Sequence, residues 1–176
     1  MLKKHIFLFF ITLFVFSFSN GQTKFQRAYG GTFVLADSTQ DGLDVKQTND
    51  GGYIIDARIT FKKGATNAPS EDAYTIKVNS TGTLQWSRRH AGTNYEEGRG
   101  ITQTTDGGYF YAGETTSWSA GGTFDFDAFI TKTDVSGNIQ WTRNFGDVWN
   151  DAAYAGQQTS DGGDRKSTRL NSSHRL

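Results

Sequence analysis

The chain has 176 residues with 18 basic and 18 acidic side chains, 14% aromatic residues, one Pro and no Cys. Without Cys there are no disulfides, thiol nucleophiles or thiolate metal sites. Setting aside the two ends described below leaves 12 basic and 17 acidic residues, a net charge of −5. That balance gives no electrostatic footprint for nucleic acid or an anionic membrane.

Met1 to Gly21 predicts a secretory signal peptide. Lys3 and Lys4 form a positive head, Ile6 to Phe18 is apolar, and Ser19-Asn20-Gly21 places small residues ahead of a cut before Gln22. The apolar run of about 13 residues is shorter than the roughly 20 a spanning helix needs, so cleavage is favoured over a membrane anchor. With no Cys the chain also lacks the thiol for bacterial lipoprotein attachment.

From Phe25 on, the chain is dominated by repetition. Gln-Thr-x-Asp-Gly-Gly occurs at Gln47 to Gly52, Gln103 to Gly108 and Gln158 to Gly163, at spacings of 56 and 55 residues. Asp72-Ala73-Tyr74-Thr75-Ile76-Lys77 matches Asp127-Ala128-Phe129-Ile130-Thr131-Lys132, and Gly82 to Arg88 matches Gly137 to Arg143. Phe25 to Gly30 echoes Trp141 to Gly146 as a partial earlier copy. A long period of this kind marks a repeat architecture.

Within one repeat, Tyr74 to Val78 alternates apolar and polar residues as a strand does. Asn79-Ser80-Thr81-Gly82 predicts a turn with Gly82 in the left-handed position, and Leu84 to His90 is the return strand. Gly100 to Thr104 and Tyr109 to Thr115 are two further strands around the Thr105 to Gly108 turn. Four antiparallel strands in about 55 residues, with no helical periodicity, is an all-β plan of propeller-blade type. Residues 22–163 hold about two and a half such units, so they are expected to be an incomplete propeller from the N-terminal part of a longer protein.

After Gly163 an aromatic residue and a strand are expected, as at Tyr53 and Tyr109. Instead, Asp164 to His174 resembles the conceptual translation of a sequencing-library adapter. Residues 164–176 are therefore read as an artefactual tail, and the strand before them is expected to lack its neighbour.

The units Asp-Ala-Phe-Ile-x-Lys-x-Asp-x-x-Gly-Asn-x-x-Trp, followed by Gly, an acid, a strand and Asp-Gly-Gly-Tyr, resemble the β-propeller repeats of secreted Bacteroidetes proteins. The resemblance covers about Phe25 to Gly163. It implies export, often by type IX secretion under a separate C-terminal sorting domain, and a periplasmic route to the cell surface or medium. It implies no particular activity.

Trp86 and Trp141 occupy equivalent positions, which favours packing between units over a sugar platform, and Tyr95 with Trp149 is read the same way. Trp118, Phe124 and Phe126 lie in a Ser/Gly-rich loop that repeats less well, and form the candidate ligand-contact loop. The aligned acids Asp41, Glu97 and Asp151 are read as bonding loop amides in preference to lining an acidic, cation-binding opening. Asp37 to Asp44 fails as an EF-hand because its twelfth position is Thr48 and not Glu. Asp134 is expected to cap the Asp134 to Asn138 turn.

Only His90 is a usable histidine. It aligns with Phe145, and no Gly-x-Ser-x-Gly elbow, phosphate loop or dinucleotide fingerprint is present. Glu96, Glu97 and Glu114 keep a glycosidase-type carboxylate pair open. The sequence thus predicts no catalytic, cofactor or metal residues. It predicts a secreted or cell-surface scaffold or binding module with an unknown glycan or protein partner. The alternative is a piece of a propeller-containing polysaccharide hydrolase or lyase whose catalytic residues lie outside this chain.

Overall fold

A computed structural model describes residues 25–29, 38–63, 68–119, 125–159 and 164–167. Strands β1 (Thr39–Gln47), β2 (Tyr53–Lys63), β3 (Ala68–Val78) and β4 (Leu84–His90) form one antiparallel sheet in chain order. Strands β5 (Glu96–Gln103), β6 (Tyr109–Thr115), β7 (Asp127–Thr133) and β8 (Ile139–Phe145) form a second. Strands β9 (Ala155–Gln158) and β10 (Asp164–Ser167) pair as a third. No helix occurs among the described residues, so the all-β, four-stranded expectation holds.

Two expectations change. The four strands grouped in one repeat are divided between sheets, because β4 ends one sheet and β5 opens the next. Each sheet therefore starts just upstream of the Gln-Thr-x-Asp-Gly-Gly turn. Nor does β9 lack a neighbour: Asp164 to Ser167 pairs with Gln158 to Ala155. Such a ladder is made of main-chain groups, so it accepts almost any side chain.

The β1–β2, β3–β4, β5–β6 and β7–β8 turns lie at one end of the sheets, and the β4–β5, β6–β7 and β8–β9 connections lie at the other. The six-residue motif explains the turn end. The β1–β2 turn is closed by main-chain bonds from Thr48 N to Gly52 O and from Gly51 N to Thr48 O, both 2.9 Å, with Gly51 at φ 77°. Asp50 Oδ1 accepts from Thr48 Oγ1 at 2.5 Å and from the Gly52 amide at 2.9 Å.

That carboxylate then receives the Lys77 ammonium of β3 at 2.9 Å. Lys77 is buried, and its Nζ also donates to Val78 O at 2.9 Å and Gln85 Oε1 at 3.0 Å. A Cβ on Gly52 would collide with Val78 O and Lys77 Nζ. The second sheet repeats the arrangement. Lys132 Nζ donates to Asp106 Oδ2 at 2.9 Å, Thr133 O at 2.7 Å and Gln140 Oε1 at 3.2 Å. One ammonium thus ties a turn and two strands together in each sheet.

The motif glutamine acts between sheets. Gln103 Oε1 accepts from the Asn49 amide of the preceding turn at 2.8 Å, and Gln158 Oε1 accepts from the Thr105 amide at 2.9 Å.

Strand alternation builds the stack. On β2, Tyr53, Ile55, Ala57, Ile59 and Phe61 share one face with Tyr74, Ile76 and Val78 of β3, and Tyr29 packs there. The opposite face carries Ile54 and Ala73, which meet Ile101, Tyr109, Tyr111 and Phe129 of the second sheet. Trp86 joins this layer edge-on to Tyr109, with centroids 5.6 Å apart. The far face of the second sheet packs Phe110, Ala112, Ala128 and Ile130 with Ala153, Trp141 and Phe145.

The early partial repeat behaves as its sequence implies. Phe25 meets Tyr53 edge-on at 5.8 Å, as Trp86 meets Tyr109. A Cβ on Gly82 would strike Phe25, and one on Gly137 would strike Trp86. Both glycines have positive φ (75° and 77°), the left-handed position expected at Gly82.

The Lys132 clamp yields a test. Asp106→Ala leaves a buried ammonium without its anion and is expected to cost about 1–3 kcal/mol in urea denaturation. The double variant Lys132→Met/Asp106→Ala is expected to recover most of that loss, because no charge then remains buried.

Candidate functional site

At the other end of the stack the sheets meet through β5, which lies against β1, β2 and β3. β1 and β5 both carry a register break, between Gly42 and Asp44 and between Gly98 and Gly100. A bulge re-aims the extra residue, which is Leu43 in β1 and Arg99 in β5. Each stands four residues before its repeat's glutamine, and Tyr154 is the third residue in that position.

All three line a groove of about 380 Å³ that also takes in Asp44, Lys46, Gly100 to Thr102 and Ala155 to Gln157. It runs along the first strands of the successive sheets, whose outer main-chain edge has no neighbouring strand among the described residues. Tyr154 is 50% exposed, with the Arg99 guanidinium 5.6 Å from its ring centre.

Behind the groove is a charged network. Arg99 Nη2 bonds Glu114 Oε1 at 2.7 Å and lies 3.4 Å from Glu97 Oε2. Arg58 reaches Asp41 at 3.1 Å, Glu71 at 3.2 Å and Glu97 at 3.5 Å. The Tyr95 hydroxyl donates to Glu97. Burial, then the Glu97 bond, pushes the Tyr95 pKa well above the usual phenol range. Asp41 and Glu97 therefore pair with arginines, where bonding to loop amides is expected from the sequence, and Glu97 and Asp151 are buried.

The network accounts for the acids that kept hydrolysis open. Glu97 and Glu114 are cross-strand partners, and Arg99 neutralises them where two like charges face each other. Glu96 is buried, accepting from the Gly92 amide at 2.5 Å, from Thr115 Oγ1 at 3.1 Å and from Ser117 Oγ. His90 is buried against Tyr111 with ring centres 4.7 Å apart, and its Nε2 lies 2.9 Å from Thr75 Oγ1. Burial, followed by the nearby Arg88 charge, lowers the His90 pKa to about 4. Its other ring nitrogen has no hydrogen-bond partner among the described residues.

Two of the three candidate loop aromatics, Trp118 and Phe126, are among the described residues. Trp118 is 43% exposed and leans edge-on against Phe129 at 6.4 Å. Phe126 is half-buried against Tyr95 at 5.2 Å. Phe124 lies outside the described residues. Trp118 and Phe126 thus rest on different neighbours and form no shared platform in this structure.

Trp86 is a packing residue between sheets as expected, but Trp149 is not the counterpart of Tyr95. It is 64% exposed, because Phe126 covers Tyr95 and no described ring covers Trp149. Asp134 does cap its turn, accepting from the Ser136 and Asn138 amides at 2.8 and 2.9 Å. Its pKa is lowered, first by the Asn138 side chain. The failed EF-hand segment is strand from Thr39 on.

The chain matches no protein-family model and no curated protein sequence.

Sequence reasoning missed Asp56. It is fully buried between the sheets, directly opposite Asp44 in the β1–β2 ladder and against the backbone of Gly98. Neither carboxylate oxygen has a hydrogen-bond partner among the described residues, and the nearby Ala57 amide favours the charged form without reaching bonding geometry. Asp44 is held by the Ile101 amide at 3.2 Å and Lys46 at 2.8 Å. Burial first, then the charges of Asp44 and Glu97, raise the Asp56 pKa from 3.8 to about 8.

The fold therefore favours protonated Asp56, a contribution fully present below about pH 4 and lost as pH rises towards 8. His90 acts oppositely, its contribution present above pH 6.5 and lost as pH falls towards 4. The two slopes offset each other up to about pH 6.5, and between 6.5 and 8 the Asp56 slope is left without the opposing one. Thermal melts are expected to fall between pH 6.5 and 8. Asp56→Asn is expected to abolish that fall and to melt higher than the parent at pH 8.

Proposed function

We propose that this chain is part of a secreted or cell-surface β-propeller repeat protein that works as a non-enzymatic scaffold or binding module. One observation carries the reading. Repeat-equivalent positions divide into two classes with different jobs. Those that keep their identity, such as the Asp50/Asp106 and Lys77/Lys132 pairs, are consumed in bonds that hold each sheet. Those that line the groove change from unit to unit: Leu43, Arg99 and Tyr154, or Lys46, Thr102 and Gln157. A scaffold that keeps its frame and varies one surface is organised for recognition.

The propeller reading is supported by stacked four-stranded meanders whose first strands lie side by side along one groove. Export is supported by the signal-like Met1 to Gly21 and the repeat resemblance to secreted Bacteroidetes proteins, which also suggests type IX secretion. The partner is a glycan or a protein, without nucleic acid and without stable membrane insertion after signal cleavage. The alternative, a piece of a hydrolase or lyase whose catalytic residues lie outside this chain, gains no support from Glu96, Glu97 and Glu114, which are held by structural partners.

Two measurements test this. Expressed with its leader in a Bacteroidetes host, the exported protein is expected to begin at Gln22 by N-terminal sequencing. Retention of Met1 in the exported protein contradicts cleavage. Incubated with a panel of polysaccharides, the protein is expected to release no new reducing ends or unsaturated products, and steady release would sink the non-enzymatic reading.

A further inference from the structure

The groove lining limits what it can hold. Its charged side chains are already paired: Asp44 with Lys46 at 2.8 Å, and Arg99 with Glu114 at 2.7 Å. An ionised ligand would have to break one of these pairs to find a countercharge, and gains little by doing so. Tyr154 offers a half-exposed ring held from one side by Arg99. Such a ring packs on an apolar face while its neighbours supply hydrogen bonds. Thr102 and Gln157 line the same groove, as do stretches of β5 and β9 that are the first strands of their sheets. The volume of about 380 Å³ is at the small end for ligand sites and suits a short segment of a longer chain.

An uncharged ligand with flat C–H faces and a rim of hydroxyls meets each of these conditions. We propose that the groove binds a neutral oligosaccharide, with a sugar ring on Tyr154 and hydroxyls bonded by Thr102, Gln157 and the main-chain edge of β9. This rests on the binding-module reading and names the ligand class of its variable surface. The choice of residue at the position shared by Leu43, Arg99 and Tyr154 makes the site asymmetric. One unit supplies an aliphatic wall, the next a cation bound to its own acids, and the third the platform.

Isothermal titration calorimetry on the full chain tests it, with linear β-1,4-glucan, β-1,3-glucan and mannan hexamers as probes. Polygalacturonate and chitosan oligomers serve as charged comparators. At least one neutral hexamer is expected to bind. Tyr154→Ala is expected to weaken that binding by about tenfold, the scale of one lost aromatic contact. Tyr154→Phe is expected to keep it, and so is Trp118→Ala. Unchanged thermal melts for the two Tyr154 variants separate lost contact from lost fold.

No binding by any neutral hexamer overturns the proposal, as does binding confined to the charged oligomers or indifferent to Tyr154→Ala. Reducing-end release that Tyr154→Ala abolishes would support the saccharide groove while overturning the non-enzymatic reading. The two ideas therefore fail separately.

Discussion

An ammonium group buried in each sheet is what the rest of the structure depends on. Lys77 and Lys132 are buried, and a charge in such a place must be paired and hydrogen-bonded or it destabilises the fold. The pairing is supplied by the turn before it. Asp50 and Asp106 are also fixed by a Thr hydroxyl and a Gly amide. Those bonds, with the lysine, hold both carboxyls at about pKa 2, so the anion persists well into acid. The glycine beside the ammonium has no side chain because there is no room for one. A six-residue signature that reads as punctuation is thus the counter-ion site for a lysine some 27 residues on.

Stacking follows from the same economy. Each sheet contacts its neighbour through a small set of devices repeated at the same register. A glutamine reaches back to the preceding turn, an aromatic ring lies edge-on to a tyrosine, and a glycine accepts that ring from the preceding unit. Stability in such an array is close to a sum of unit and interface terms, so the units can vary wherever these devices are not engaged. The Asp56–Asp44 pair is an exception lying inside an interface. It occurs in one unit only, since Ala112 stands where a second Asp56 would be. It makes that one joint sensitive to protons, whereas the others rest on neutral contacts and on ion pairs that persist across the neutral range.

The groove shows why repetition and recognition coexist. Bulges at Gly42 to Asp44 and Gly98 to Gly100 turn one side chain per unit out of the pleat and towards the open edge. A side chain aimed there carries little packing duty. The position can therefore hold Leu43, Arg99 or Tyr154 without disturbing the frame. Carboxylates behind it are committed to arginines and a tyrosine hydroxyl, which leaves shape, an aromatic face and hydrogen bonds as the means of binding.

The sequence by itself determined the repeat, the all-β character, the extents of strands such as Leu84 to His90 and Tyr109 to Thr115, and the turn roles of Gly82 and Asp134. These depend on local alternation, on backbone sterics and on the period, all of which are written along the chain. The equivalence of Phe25 with Trp86 was legible for the same reason. Tertiary structure alone decided where one sheet stops and the next begins, because the β4–β5 break depends on which strand edges meet, not on local propensity. It also decided the fates of residues whose sequence contexts look alike. Tyr95 is covered by Phe126 while Trp149 faces solvent, and Glu97 is enclosed by two arginines while Asp41 remains at the surface. Asp56 had no local signal at all, since its burial and raised pKa come from Asp44 across the ladder and from a strand about forty residues later. Charge environments and concave surfaces are made by segments distant in sequence, so they are set only when the sheets stack.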